Sequence, residues 1–383
     1  MIAALLVATF AVQDTGMAQG GIFQRPFIAS AGRTAIGGYA EANGSYLVTD
    51  GVGEGWSMEL RRFNIFLYSA VGRRIRFLSE LEFEHGTEEI SLETALVDFV
   101  ITPSLVARAG ILLPPIGAFN ANHDSPRYDF VERPLVSTEI IPATLSEVGF
   151  GVHGRLAPKG FSMSYDAYLT NGLGDGVILN PLGRTRLASG KSEERFAEDN
   201  NGSPAVSGRV AALVRRWGEL GLSYYGGIYN AYRTDGVVVA PKRRLSLVAV
   251  DLATDVGPVA LRGETAWARI DVPEDLGELL ADRQWGFYLD ATMPVWRPRI
   301  RGLERPVVSA VVRLERADFN QGRFTSTNLA RGDDVNAVTA GISFRPAAGT
   351  VFRANYRHQS SRDLVGNPPS KTAGFQIGFA TYF

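Results

Sequence analysis

The stretch RIRFLSELEFE, residues 74–84, decides how the chain is read. Ile75, Phe77, Leu81 and Phe83 alternate with Arg74, Arg76, Glu80, Glu82 and Glu84. A period of 2 marks a strand with one apolar and one polar face. The run is longer than the soluble norm of about 5–6 residues and fits the roughly 9–11 of a tilted membrane strand. The same pattern returns downstream. Trp285, Phe287, Leu289, Ala291 and Met293 oppose Gln284, Tyr288 and Asp290, and Val308, Ala310, Val312 and Leu314 oppose Ser309, Arg313 and Glu315. Val338, Ala340, Ile342 and Phe344 oppose Thr339, Ser343 and Arg345. Ser79, Thr94 and Gly154 dilute the apolar faces, which lipid tolerates better than a dry core does.

Sixteen such segments are expected, at 35–48, 57–70, 74–84, 90–101, 105–112, 147–157, 161–170, 205–217, 219–230, 243–256, 259–270, 282–293, 307–317, 335–345, 350–359 and 372–383. Alternate connections are short (71–73, 102–104, 158–160, 218, 257–258, 346–349), with 294–306 the exception, while the others include 113–146 and 171–204. Tight turns at one end and long loops at the other are the layout of a transmembrane barrel. An open edge in lipid would leave backbone groups unpaired at several kcal/mol each, so closure is required. The fold expected over 35–383 is therefore all-β: a 16-stranded antiparallel transmembrane β-barrel with an inward-folded third external loop. Met1 to Val12 is apolar but shorter than the ~20 residues of a spanning helix. Residues 1–19 read as a signal peptide or its remnant, and 20–34 as an N-terminal periplasmic segment. A soluble all-β protein and a repeat-built β-helix are the competing architectures, the latter disfavoured because no fixed period is visible.

Composition narrows the chemistry. Thirty-nine Lys plus Arg against 40 Asp plus Glu leave a charge of -1, without the basic excess of a nucleic-acid binder. There is no Cys, hence no disulfide or thiolate site. The four His (His85, His123, His153, His358) stand at no metal-ligand spacing, so neither metal nor cofactor is expected. His123-Asp124-Ser125, and His358 near Ser360 and Ser361, are the only triad-like groupings. Adjacency in a chain is not triad geometry, and no catalytic residue is assigned. Gly172, Gly174 and Gly176 sit in a loop with no helix after them and read as hairpin residues. Asp175, Asn180, Glu198 and Asp199 are a weak Ca²⁺ candidate. The charged run from Lys191 through Glu193, Glu194, Arg195 and Glu198 to Asp199 reads as solvated exterior. Tyr46, Trp56, Trp217, Tyr229, Tyr232 and Trp296 fall at strand ends, as an interfacial aromatic girdle would.

A ring of sixteen strands leaves an aqueous channel, so the polar faces are expected to line water. Segment 113–146 is rich in Pro yet carries Phe119, Tyr128, Phe130, Leu135, Ile140 and Ile141. These anchors suit a loop tucked against the inner wall. Its charged set, Asp124, Arg127, Asp129, Glu132, Arg133 and Glu139, would narrow the passage. Parity assigns Arg74, Arg76, Glu80, Glu82, Glu84, Arg108, Glu147, Arg155, Arg262, Arg313, Arg345, Arg353 and Arg357 to the pore wall, and adds Asp166, Glu264, Asp290 and Glu315 to the acidic side. Mixed charge of this kind makes a transverse field. Arginines on the first half of the barrel are placed where loop carboxylates could pair with them.

Residues 36–171 resemble the bacterial outer-membrane porin family that includes the phosphate-selective porins O and P. The likeness rests on GGYAEANGSY (37–46), WSMELRRFNIFLYSAVGRRIRFLSELEFE (56–84), ARAGILLPPIGAFN (107–120), FVERPL (130–135) and IIPATLSEVGFGVHG (140–154). It implies a trimeric 16-stranded channel with one pore per subunit, narrowed by the third external loop. Phosphate-selective members are similar in using inward Arg and Lys, including Lys on that loop. Here 113–146 has no Lys, and Glu80, Glu82, Glu84, Glu88 and Glu89 form an acidic run. Phosphate selectivity is not carried over. The final strand, with Phe375, Ile377 and Phe379 before Phe383, resembles the signal that barrel-assembly machinery reads. The expected function is a passive diffusion channel for small hydrophilic solutes or ions, set in outer-membrane lipid as a homotrimer. An anion- or phosphate-selective porin, a barrel-scaffold enzyme and a non-conducting structural barrel are the alternatives.

Overall fold

The computed structural model describes residues 29–31, 33–86, 88–157, 161–191, 196, 199, 201–214 and 216–383. The expected signal peptide, most of 20–34, the turn at 158–160, and Glu193, Glu194, Arg195 and Glu198 lie outside them. Sixteen long strands follow in order: β1 Thr34–Thr49, β2 Val52–Ser69, β3 Ile75–Glu84, β4 Glu89–Thr102, β5 Leu105–Leu112, β6 Glu147–Leu156, β7 Phe161–Thr170 and β8 Ala205–Val214. The second half comprises β9 Gly218–Ile228, β10 Arg244–Val256, β11 Val259–Ile270, β12 Arg283–Trp296, β13 Val307–Asp318, β14 Asp334–Ala347, β15 Thr350–Ser361 and β16 Ser370–Tyr382. Each pairs antiparallel with its sequence neighbours, and β16 closes on β1 from Tyr382↔Tyr39 to Thr372↔Thr49. The result is a closed ring. Ala29–Ala31 adds three pairs to β1 beyond the point β16 reaches. The largest departure from the expected bounds is β2, which starts at Val52 because the hairpin turn is only Asp50 and Gly51.

The faces sort as lipid requires. Phe150, Leu222, Ile342, Phe352 and Phe375 are exposed on the outside, while their strand neighbours Gly149 and Gly151, Ser223, Ser343, Arg353 and Gln376 turn the other way. Trp217 and Trp296 are exposed at the short-turn end, Tyr46 and Trp56 at the long-loop end. These four occupy the positions of an aromatic girdle. Tyr229 and Tyr232 do not: they are 1% and 4% exposed, packed inside, and Tyr229 Oη donates to Asp271 O.

Two of the bulges change parity on the acidic wall. Glu41 faces Arg62 while Ala42 faces Leu60, which leaves Arg61 as the extra residue of β2. Glu80 faces Thr94 while Leu81 faces Leu92, so Glu93 is the extra residue of β4. An inserted residue re-aims its neighbours. Glu93 and Thr94 are both buried, so Thr94 belongs to the inner face and not the lipid face on which strict alternation puts it.

The interior is not uniformly wet. Leu245, Leu247, Ala249, Ala266, Ala268 and Ala317, on the inner faces of β10, β11 and β13, pack against Ile116, Val136, Ile140, Ile141 and Leu145, with Leu173, Val177 and Leu187 of the 171–204 connection completing the cluster. This sector is a dry core, contrary to the expectation that the inner faces line water throughout. The 171–204 connection contributes to it and is not merely solvated.

Closure is sealed at the last residue. Gly38 N donates to Phe383 O (3.1 Å), Phe383 N donates to Gly38 O (2.9 Å), and the Phe383 ring stacks on Phe63 with centroids 5.2 Å apart. A Cβ on Gly38 would stand 2.1 Å from Asn64 O and 2.6 Å from the Phe383 ring. Gly38→Val is expected to lower stability by about 1–3 kcal/mol, the usual cost of overpacking. Urea titration of the folded barrel followed by heat-modifiability on gels measures it, and an unchanged midpoint refutes this account of closure.

Candidate functional site

The charged interior is built around segment 113–146, and its ties run to strands on both sides of the β16–β1 seam. It leaves β5 through Leu113-Pro114-Pro115 and turns at Gly117, whose φ of +63° suits glycine. Glu264 on β11 accepts from Ala118 N (2.8 Å), Phe119 N (3.2 Å) and Ser137 Oγ (2.9 Å). A Cβ at Gly117 would meet that carboxylate at 2.1 Å. Asn120 bridges the base of the segment, donating to Pro114 O and Leu145 O and accepting from Leu145 N.

Of the loop charges expected to act in the passage, each has a partner. Asp124 accepts from Tyr382 Oη at 2.8 Å, and Arg127 Nε donates to the same oxygen at 2.9 Å. Asp129 pairs with Arg345 at 2.8 Å, Glu132 with Arg61 at 3.0 Å, and Glu139 with Arg186 at 3.1 Å. Arg133 is buried and donates to Thr144 Oγ1 at 3.4 Å. Tyr382, a residue given no role by the sequence, thus turns inward to hold the loop.

On the late strands the guanidiniums serve the same segment. Arg313 grips Asp290 through two bonds (2.6 and 2.7 Å), donates to Glu132 O (2.7 Å), and lies 4.2 Å over the Phe130 ring. Arg345 donates also to Pro126 O (2.7 Å), and Arg353 to the carbonyl of Ser125. Arg357 pairs with Glu315, whose other oxygen accepts from Leu135 N (2.8 Å). The expectation that first-half arginines hold the loop carboxylates is met by Arg61, which pairs with Glu132, and is corrected for Arg74, Arg76, Arg108 and Arg155. Arg108 binds Asp98 (2.7 Å), Arg155 binds Ser162 (2.6 Å), and Arg74 and Arg76 are exposed at the short-turn end, with Arg74 in the turn itself. Arg262 is exposed and lines a cavity. Glu147 is tied to Tyr225 (2.7 Å) and to Thr170.

An acidic patch occupies the wall of β1 to β4. Arg62 serves three carboxylates, Glu41 (3.1 Å), Glu82 (3.4 Å) and Glu84 (2.6 Å), and Asn64 Nδ2 donates to Glu80 at 2.7 Å. Arg61, Arg62 and Glu93 were not selected by parity, because the two bulges displace it. The doublet Arg61-Arg62 in LRRF was the one available signal.

The enzyme-like groupings disperse. His123 goes to Glu93, Asp124 to Tyr382 and Ser125 to Arg353. His358 is exposed on the outer face, opposite in parity to the buried Arg357. Asp175 accepts from Ala231 N, and Asn180 is taken up by backbone carbonyls. Near the mouth Glu278 is held by Thr325 and Ser326; those bonds lower its carboxyl pKa, so this stitch between loops loosens as pH falls through the lowered value.

Two cavities border the segment. One of about 710 Å³ is lined by Glu84, Glu89, Glu132, Arg133, Lys191 and Gln359 toward the long-loop end. The other, about 410 Å³, is lined by Arg127, Asp129, Arg262, Arg313, Arg345 and Tyr382 toward the short-turn end.

No family model matches the chain. An uncharacterized protein of Aquifex aeolicus (strain VF5) is 25% identical over 358 residues, 87% of this chain and 77% of the relative. Among solved structures, the trimer form of OmpT from Vibrio cholerae is similar with a TM-score of 0.53 at 11% identity, covering 92% of this chain and 100% of that one. The outer membrane channel DcaP of Acinetobacter baumannii is similar with a TM-score of 0.54 at 10% identity, covering 91% and 96%. Closed through sixteen strands, apolar outside and largely polar within, the chain has the β-barrel fold of bacterial outer-membrane porins and channels.

Proposed function

We propose that the chain is a passive diffusion channel for small hydrophilic solutes and ions, with segment 113–146 folded into the lumen as its constriction. One observation carries the reading: the segment is tied to inner-face side chains of β2, β11, β13, β14 and β15, and a charged cavity adjoins it toward each end of the barrel. A plug made only for stability has no need of charged vestibules. A solute leaving water for such a passage exchanges hydration for fixed charges, which favours polar over apolar molecules. The acidic patch on β1 to β4 opposes dedicated anion uptake, so phosphate selectivity is not proposed. Arg313, Arg345 and Arg353 act first as braces of the segment, each donating to one of its backbone carbonyls. The channel is proposed to assemble as a homotrimer, as the OmpT relative does; Ala40, Ala42 and Gly44 give the outer face of β1 small residues on which a second copy can pack.

In planar bilayers the purified protein is expected to give discrete steps, and liposomes loaded with it to swell in small sugars; silence in both refutes the channel. Neutralising Glu84 and Glu89, which line the outer cavity, is expected to lower cation preference in a salt gradient, most clearly near 0.1 M, where the screening length is about 10 Å. A reversal potential that does not move excludes them from the ion path.

Bracing is tested separately. Arg313→Ala strands the carboxylate of Asp290, and breaking a buried pair from one side costs about 3–5 kcal/mol. Gly117→Ala forces a side chain into the Glu264 carboxylate. Both variants are expected to show noisier, less uniform conductance than the parent while the barrel still migrates as folded. Parent-like step sizes in both would remove 113–146 from the conduction path.

A further inference from the structure

We propose that Glu80, Glu93 and His123 form a binding site for one divalent transition cation of the Zn²⁺ type, which fastens segment 113–146 to the wall of β3 and β4. The sequence expects no metal here, because a ligand set drawn from two strands and a distant loop has no spacing to read. Their ligand atoms lie within 4.8 Å of one another, and all three side chains are buried. Ligand atoms held ~2.1 Å from one Zn²⁺ are up to roughly 4 Å apart, so little closing movement is needed.

The chemistry of the pair at its centre points to a cation. His123 Nδ1–H donates to Asn120 O at 2.8 Å, which fixes the tautomer and leaves the Nε2 lone pair facing outward. It faces Glu93 Oε2 at 3.1 Å. Two acceptors at that distance need a proton or a metal ion between them. A ligating His whose other nitrogen is held by a carbonyl is the usual second-shell arrangement of metal sites. Glu93 Oε1 is buried, and the Glu82 side chain is hydrogen-bonded to the same carboxyl group, which brings a further oxygen ligand beside the pair. The bulge at Glu93 is what aims it inward beside Thr94.

Glu41, Glu80, Glu82, Glu84 and Glu93 put five carboxylates in this patch, with Arg62, Arg133 and Arg353 set among them. The imidazole favours Zn²⁺ over Mg²⁺ and Ca²⁺, which take all-oxygen shells.

The test uses the full barrel in detergent, stripped with chelator, re-exposed to Zn²⁺ and desalted, with metal counted by mass spectrometry. A His85→Gln background removes the exposed imidazole beside Glu59. The parent is expected to keep one Zn²⁺ per chain, undisplaced by tenfold Mg²⁺, and His123→Gln and Glu93→Gln are each expected to weaken binding at least tenfold. Retention of no stoichiometric Zn²⁺ by the parent, or parent-like binding by a folded variant, overturns the site. If the variants do not fold, zinc-edge X-ray absorption of the loaded parent decides: one imidazole among oxygen ligands supports the proposal, and an all-oxygen shell overturns it. Metal content is read without conductance, so this result stands apart from the channel reading.

Discussion

The hydrogen bonds between β16 and β1 are the constraint on which everything else rests. A strand in hydrocarbon cannot leave its edge amides to water, so the sheet must return to its own beginning. Eleven residue pairs from Tyr382↔Tyr39 to Thr372↔Thr49 accomplish that. Closure fixes which side of every strand meets lipid, and with sixteen strands it encloses more volume than wall side chains can fill. Residues of the 113–146 and 171–204 connections pack against the inner faces of that wall.

How they are held differs by sector. On β10 to β13 the inner faces carry Leu and Ala and bury the apolar residues of 113–146 and 171–204. This dry contact supplies hydrophobic anchoring. Around β13 to β15 and β1 to β4 the interior is charged, and there the segment is held by directional bonds to Arg313, Arg345, Arg353 and Tyr382. A guanidinium that donates to a loop carbonyl while pairing with a wall carboxylate, as Arg313 does, cannot shift without breaking both. The loop is therefore positioned by chemistry and not by packing alone.

Much of this was legible beforehand. Alternation located all sixteen strands, fifteen of them over ten or more residues, since lipid outside and water or polar loops inside impose a period of 2 on each. The loop's mixture of prolines and apolar anchors marked it as packed. What failed was parity near Arg61 and Glu93: a bulge adds one residue without changing composition, so the inward set Arg62, Asn64, Glu93 and Thr94 was hidden. Strand-end aromatics such as Tyr229 and Tyr232 fit the interface by sequence, but Tyr229 joins the dry sector and Tyr232 is buried beneath Lys242. Partner choice was equally hidden, for Asp129 finds Arg345 across more than two hundred residues.

The sequence by itself determined the ring: the class of fold, the strand count, the lipid-facing side and the loop that enters the argument about function. These follow from local periodicity and from the cost of unpaired backbone in lipid. Only the tertiary structure decided which charges meet. Pairing such as Glu93 with His123, or Arg62 with three carboxylates, depends on register, on bulges and on where a loop's turn falls inside the ring, and none of these leaves a spacing along the chain.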